Sequence, residues 1–93
     1  MVKTDMEFSK EVVIVNELGL HARSAAKIAN LAQKAKSTIW VVKDNEKADA
    51  SSIIDILTLA CPKGSKIALS ADSQLDIDII NDITALVERG FEE

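Results

Sequence analysis

The segment Gly19-Leu20-His21-Ala22-Arg23 decides how this chain folds, because the hydrophobic pattern changes across it. Valines and an isoleucine fill residues 12–15 before it, and an alanine-rich pattern with helical spacing begins at Ala22. We therefore expect a strand to give way to a helix at His21, the only histidine in the sequence. The first amide N–H groups of a helix have no carbonyl partner within it and bind anions well. A neutral imidazole at this point, beside Arg23, is suited to accept a negatively charged group.

The composition indicates one small globular domain, covering residues 1–93 with a core over about residues 7–89. A hydrophobic content of 47% excludes a disordered chain. A net charge of −4 and an aromatic content of 3% argue against a nucleic-acid partner, whose recognition needs a basic surface or stacking rings.

Cysteine usage and hydropathy favour a cytoplasmic location. Cys61 is the only cysteine, so an internal disulfide is excluded, and its position between Ala60 and Pro62 favours a small apolar residue. The N-terminal segment includes the polar residues Lys3, Thr4 and Asp5, and no apolar signal segment follows it. No apolar run approaches the ~20 residues of a membrane span, so we expect no membrane association.

Seven elements are expected in the order β-α-β-β-α-β-α. Strands are predicted at about residues 7–15, 37–43, 47–50 and 65–71, with a polar turn at residues 44–46. Helices are predicted at about residues 22–36, at 51–59 and from 73 onward, the last ended by Gly90. Helices separated by strands in so short a chain predict an α+β fold, with a four-stranded, mostly antiparallel sheet and three helices on one face.

Serine–aspartate pairs three residues apart mark the starts of the second and third helices. Ser52 with Asp55, and Ser73 with Asp76, both resemble a capping box with Asp in place of the usual Glu. We therefore expect each serine to cap its helix.

The core is expected on one face of the sheet. Trp40 alternates with Ile39 and Val41, so if those two face the helices, Trp40 lies on the open face. The last helix supplies an apolar stripe of five residues: Ile79, Ile80, Ile83, Leu86 and Val87.

Three motifs together resemble the histidine-containing phosphocarrier (HPr) family of the bacterial sugar phosphotransferase system. They are Gly19-Leu20-His21-Ala22-Arg23-Ser24-Ala25, then Ser52-Ile53-Ile54 about thirty residues later, and then Lys63-Gly64. The resemblance covers about residues 7–87 and includes the order of the elements. It implies an HPr-like open-faced β-sandwich that acts as a phosphoryl carrier rather than an autonomous enzyme, with no cofactor.

The resemblance also implies roles for individual residues. His21 would accept a phosphoryl group from phospho-enzyme I, as a pros-phosphohistidine, and pass it to an EIIA domain, while Arg23 stabilises the phosphate. Ser52 matches the serine that HPr kinase/phosphorylase phosphorylates. Partner docking would involve Ala22, Ser24, Lys27, Ile53, Ile54 and Leu57. A carrier that visits several partners is expected to be a monomer.

Three positions depart from the family pattern. Ser24 stands where proline is usual, although serine can also support a helix start through hydrogen bonds. Ser51 stands where lysine is common and Asp55 where glycine is common. The second helix is therefore less basic than the resemblance leads one to expect.

Each candidate residue also has a purely structural interpretation. His21 could make a structural hydrogen bond in a loop, and Arg23 and Lys27 could be solvated surface charges. Ser52 could serve only as an N-cap, worth about 1 kcal/mol. Core packing would account for the three apolar residues of the second helix almost as well as partner docking: Ile53, Ile54 and Leu57.

Three functions compete. The first is a phosphoryl carrier that uses His21. The second is a regulatory HPr-like binding module of a nitrogen-type or permease-less phosphotransferase system, which acts through phosphorylation-dependent partner binding. The third, a small α+β ligand-binding domain, leaves the motif around His21 unexplained. One histidine and one cysteine, widely separated, offer no metal site, and no glycine-rich loop offers a nucleotide site.

Overall fold

The computed structural model describes residues 9–93 and contains the predicted order of elements. Its strands are β1 (Ser9–Val13), β2 (Ile39–Lys43), β3 (Glu46–Asp49) and β4 (Lys66–Ala71), and its helices are α1 (Ala22–Ala32), α2 (Ile53–Thr58) and α3 (Ile77–Glu88). Short 3-10 turns cover Gln74–Asp76 and Gly90–Glu92. The beginning of the first predicted strand, residues 7 and 8, lies outside the described residues.

The four strands form one sheet in the order β1-β4-β2-β3, and each neighbouring pair is antiparallel. The α+β fold with three helices and an open antiparallel sheet is therefore confirmed. A two-residue turn joins β2 to β3, and both of its residues, Asp44 and Asn45, have positive φ (51° and 73°). Positive φ at both central positions is what a type I′ hairpin turn requires. The predicted turn was one residue too long, because Glu46 already pairs with Lys43.

The core lies between one face of the sheet and the helices. Ile39 and Val41 of β2 are 2% and 0% exposed, whereas Trp40 between them is half-buried on the opposite face, as predicted. There the indole N–H donates to Asp72 (3.1 Å), and the Lys47 ammonium lies 4.3 Å from the ring centroid. The apolar stripe of α3 packs on the core. Four of its five residues are buried, and Ile79 packs at the edge of the core.

The observed boundaries of α1 and α3 differ from the predicted ones, and Asp76 lies between the two helices. Its buried carboxylate accepts the backbone N–H groups of Lys36 and Ser37 (2.8 Å each) as well as the Ser37 hydroxyl. α1 ends at Ala32, after which the N–H groups of Lys34 and Ala35 donate to Leu31 and Ala32 in a tighter turn. The Lys36 amide binds Asp76 instead of a helical carbonyl, so the helix does not extend to residue 36 as predicted. Burial alone would raise the pKa of Asp76, but the donors on Lys36 and Ser37 outweigh it and hold the pKa below its ordinary value.

The predicted role of Asp76 as a capping partner of Ser73 is therefore wrong. The Ser73 hydroxyl instead accepts from the Leu75 N–H (3.1 Å) and begins the 3-10 turn Gln74–Asp76, so α3 starts only at Ile77. At the other end α3 stops at Glu88, and Gly90 follows with a φ of +66°. The predicted helix stop at Gly90 is confirmed.

Cys61 is a buried free thiol that packs in the core, as its sequence neighbours predict. Burial raises its pKa, so the thiol form dominates at neutral pH. Within residues 9–93, no helix combines the length and the apolar character that crossing a membrane would require.

Candidate functional site

His21 is the N-cap residue of α1, at the predicted junction between strand and helix. Its backbone is extended (φ −126°, ψ −177°), which turns the side chain back toward the first helical turn. Nδ1 of the ring accepts the backbone N–H of Arg23 at 3.3 Å. The His21 side chain is 24% exposed, so the ring is held by the protein and still reachable from outside.

Ser24 organises the backbone beneath the imidazole. Its hydroxyl accepts the His21 N–H at 2.9 Å and lies 3.1–3.2 Å from the carbonyl oxygens of His21 and Gly19. Ser24, one of the residues for which the resemblance implies a part in partner docking, is fully buried in the structure. The hydroxyl supplies by hydrogen bonds the rigidity that a proline supplies by its ring, which supports the expectation that serine can start this helix.

Gly19 lets the loop before His21 lie directly against a second backbone segment. Its φ is +67°, and a Cβ built on it would lie 2.5 Å from the Cys61 carbonyl oxygen and 2.8 Å from Pro62 Cα. The adjacent Leu20 N–H donates to the same Cys61 carbonyl at 2.8 Å. Only glycine fits both the left-handed backbone and this approach.

Two residues that the sequence did not reveal complete the surroundings of His21. One carboxylate oxygen of Glu93 lies 2.6 Å from Nε2 of His21. The other accepts the side-chain N–H of Asn16 at 2.9 Å, and the same amide donates to the Gly19 carbonyl at 2.8 Å. No local pattern could identify this contact, because Glu93 is 72 residues away from His21.

Glu93 is ionised at neutral pH. The hydrogen bond from Asn16 lowers its pKa most. Burial is the next largest effect and raises the pKa, but the contact with His21 and the positive charge of Arg23 lower it further, so the pKa lies below its ordinary value. The side chain is only 18% exposed. The imidazole therefore lies between a backbone N–H on its Nδ1 side and a carboxylate on its Nε2 side.

The two basic residues of α1 differ in their surroundings. The Arg23 side chain is exposed at the mouth of the site. The Lys27 ammonium donates to the carbonyl of Phe91 at 2.7 Å, and Phe91 itself is fully buried. Lys27 therefore binds the Gly90–Glu92 turn to α1. It is not a fully solvated charge, and its ammonium already has a partner within the protein.

Helix α2 combines a cap, one core residue and an exposed apolar surface. The Ser52 hydroxyl accepts the Asp55 N–H at 3.2 Å, so its predicted capping role is confirmed. Ile56 is fully buried, although no sequence pattern singled it out. Leu57 packs against the edge of the core. Ile53 and Ile54 are 37% and 71% exposed. Ile53 and, above all, Ile54 are thus the apolar residues of α2 that core packing does not explain.

Among residues 9–93, no three His, Cys, Asp or Glu side chains come together in an arrangement that could hold a metal ion. The groups that the site presents are the imidazole, its neighbouring N–H groups and the charges of Arg23 and Glu93.

Comparisons with known proteins point to one family. Residues 8–89 match the family model described as the PTS HPr component phosphorylation site. The chain is 33% identical to phosphocarrier protein HPr of Neisseria meningitidis over 84 residues, covering 90% of this chain and 94% of that protein. It is 37% identical to phosphocarrier protein NPr of Shewanella violacea over 87 residues, covering 94% and 96%. A crystal structure of HPr from Thermoanaerobacter tengcongensis superposes with a TM-score of 0.85 at 39% identity, covering 91% and 96%.

Replacing Gly19 with alanine is expected to destabilise the protein by about 3 kcal/mol, because a strained φ and a steric clash with Cys61 and Pro62 act together. Gly64→Ala is the matched control: its φ is +93° but nothing lies within 4 Å of the added Cβ, so about 1 kcal/mol is expected. Urea unfolding monitored by circular dichroism measures both. Equal losses in the two variants would show that the close approach at Gly19 is unimportant.

Proposed function

Because the chain belongs to the HPr family of phosphocarrier proteins of the phosphotransferase system, we propose that His21 is its phosphoryl carrier. In this proposal Nδ1 receives the phosphoryl group from phospho-enzyme I, as a pros-phosphohistidine, and gives it to an EIIA domain. The observation that carries the proposal is the contact between Nδ1 and the Arg23 N–H at the start of α1. A phosphoryl group on Nδ1 would meet the amides and the positive end of the helix dipole.

The energetics of the site suit a carrier. Interaction of an anion with an exposed helix N-terminus is worth roughly 0.3–1 kcal/mol, which is too little to catalyse transfer unaided. Phosphoryl transfer depends mainly on positioning and charge neutralisation, most of which the partner enzyme would supply. The exposed Arg23 adds a positive charge on the outer side of the phosphate. Modest stabilisation lets the same site both gain and release the group.

We propose one docking surface for both partners, formed by Ala22, Arg23, Ile53, Ile54 and Leu57. Ala22 and Arg23 are exposed at the start of α1, and α2 packs beside that helix. Ile54 presents an apolar side chain that is 71% exposed. Contiguous exposed apolar side chains commonly mark a protein interaction site, and the exposed Ile53 and Ile54 are adjacent in α2. We exclude Ser24 from this surface because it is buried, and Lys27 because its ammonium is bound to the Phe91 carbonyl.

We also propose that the chain works in the cytoplasm, as a monomer and as a single HPr-like domain. The buried, protonated Cys61 suits a reducing compartment. A monomer leaves the surface around His21 free for successive partners.

A regulatory role in a nitrogen-type phosphotransferase system is the second candidate. The 37% identity to a phosphocarrier named NPr favours it, as does the exposed Asp55, which makes α2 less basic. The two candidates differ in the fate of the phosphate. A sugar-type carrier passes it to an EIIA domain, whereas a regulatory module changes its affinity for a partner when it is phosphorylated.

Incubation with phosphoenolpyruvate and enzyme I is expected to add one acid-labile phosphate to the wild-type protein and none to His21→Ala. Intact-mass measurement at alkaline pH, where phosphohistidine survives, detects the addition. His21→Ala removes a partly exposed ring, so circular dichroism serves as the control for folding. A wild type that gains no phosphate, or a His21→Ala variant that gains as much, refutes the proposal.

Ile54→Glu is expected to raise the KM for phosphorylation by enzyme I about tenfold, because it places a charge in the proposed apolar contact. Leu75→Glu is the matched control. Leu75 is equally exposed (70%) but lies in the 3-10 turn near the C-terminal end of α1, away from His21. Steady-state phosphorylation assays compare the two variants. Equal KM values for both variants would argue against docking at Ile54.

We also propose that HPr kinase/phosphorylase phosphorylates Ser52, and that Asp55 slows this reaction. The Ser52 hydroxyl already accepts the Asp55 N–H, and the nearby carboxylate repels an incoming phosphate. Asp55→Asn is therefore expected to be phosphorylated several times faster by the kinase with ATP, as followed by mass. Ser52→Ala is the negative control. No phosphate on Ser52 in either wild type or Asp55→Asn would contradict the proposal.

A further inference from the structure

The carboxylate of Glu93 stands beside a site that we propose to hold a phosphate, and simple charge repulsion disfavours such an arrangement. Its contact with Nε2 of His21, at 2.6 Å, is nevertheless the shortest polar contact of the ring. Asn16 holds the other carboxylate oxygen, so the orientation of Glu93 is fixed from two sides. The contact therefore requires an explanation other than phosphate binding.

The positions of the hydrogens on His21 and Glu93 explain this contact. An ionised carboxylate can only accept hydrogen bonds, so the hydrogen in the contact belongs to Nε2. Nδ1 then keeps its lone pair, which agrees with its acceptance of the Arg23 N–H. Both contacts select the same neutral tautomer of His21, the one in which Nδ1 is the nucleophile. We propose that Glu93 is a positioning residue of the phosphoryl relay, a role that rests on the function proposed above for His21.

The carboxylate also matches the charge that the transfer creates. The lone pair of Nδ1 forms the new N–P bond while the bond between phosphorus and the donor breaks, and its electron pair leaves with the donor. The proton stays on Nε2, so the ring becomes an imidazolium whose positive charge faces Glu93. Onward transfer reverses these changes and returns the N–P electron pair to Nδ1. Glu93 thus neutralises the ring at the stage when it carries the phosphate.

Two of the other charged residues near His21 are bound to other groups, so this role belongs to Glu93. Among residues 9–93, it is the one carboxylate within 4.0 Å of a His21 nitrogen. Lys27 is bound to the Phe91 carbonyl, and Glu92 pairs with Arg89 at 3.4 Å rather than with the ring. On the Nδ1 side of the ring lies the Arg23 N–H, and the positive charge of Arg23 also lowers the pKa of Glu93.

The fold does not need the Glu93–His21 contact to hold the Gly90–Glu92 turn in place. Phe91 is fully buried, and its carbonyl accepts the Lys27 ammonium. Glu93→Gln, which keeps the shape and removes the charge, is therefore expected to leave the structure intact. A glutamine can accept from Nε2–H or donate to an Nε2 lone pair, so in Glu93→Gln only the longer contact with the Arg23 N–H, at 3.3 Å, still favours one tautomer.

The test compares Glu93→Gln with wild type and with Glu92→Gln, a charge-matched change on the adjacent residue. With phospho-enzyme I as donor, we expect kcat to fall about tenfold in Glu93→Gln with KM unchanged, and Glu92→Gln to stay within about twofold of wild type. Long-range ¹H–¹⁵N spectra of the imidazole provide a readout that a merely structural role would not change. Wild type and Glu92→Gln should show the hydrogen on Nε2, and Glu93→Gln a mixture of both tautomers.

The outcomes separate this inference from the function on which it rests. A wild type that takes up no phosphate overturns the proposed function and, with it, the role of Glu93. A wild type that is phosphorylated at the same kcat as Glu93→Gln overturns the role of Glu93 alone. An unchanged tautomer in Glu93→Gln overturns it as well, because the proposed effect acts through the ring.

Discussion

The site depends on the close approach of two backbone segments, the loop at Gly19 and the turn at Cys61 and Pro62. The hydrogen bond from the Leu20 N–H to the Cys61 carbonyl joins them, and the missing side chain of Gly19 makes room for it. This approach fixes the direction in which the chain enters α1. His21 consequently lies at the first turn with its ring against the Arg23 amide. A looser loop would let the imidazole rotate away from the helix start and lose the geometry that favours an anion.

Helix α1 is held at both ends by side chains that bind backbone groups. Ser24 accepts the His21 N–H at the beginning, and Asp76 accepts the amides of Lys36 and Ser37 just beyond the end. The helix therefore acts as a fixed support for a partly exposed ring. This combination suits a phosphocarrier, whose reactive group has to be ordered before a partner arrives and accessible when it does.

The sequence predicted the features that depend on short-range patterns. The change of hydrophobic period placed His21 at a helix start, the alternation around Trp40 placed it on the open face, and Ser52 was identified as a cap. The buried role of Asp76 was missed because its partners lie about forty residues away, and a capping pattern was the only local signal.

The contacts of His21 also join residues that lie far apart in the sequence, and local patterns could not predict them. The ring's contact with Glu93 joins residues 72 positions apart, and the Asn16–Glu93 hydrogen bond spans 77. Neither has a local signature, because both arise when α3 returns the chain to the loop after β1. Ser24 was misplaced for another reason. Its position in the motif suggested a surface role, whereas only the backbone geometry shows that its hydroxyl is turned inward.

The position of Trp40 has an optical consequence. It is the only tryptophan in a sequence without tyrosine, so all emission other than the weak emission of the two phenylalanines comes from a single ring. That ring stands at the start of β2 beside Asp72 and Lys47, on the face of the sheet turned away from the helices. Its fluorescence therefore reports on the integrity of the sheet. A variant that has lost its fold can accordingly be recognised by tryptophan emission and distinguished from one that has lost phosphoryl transfer alone.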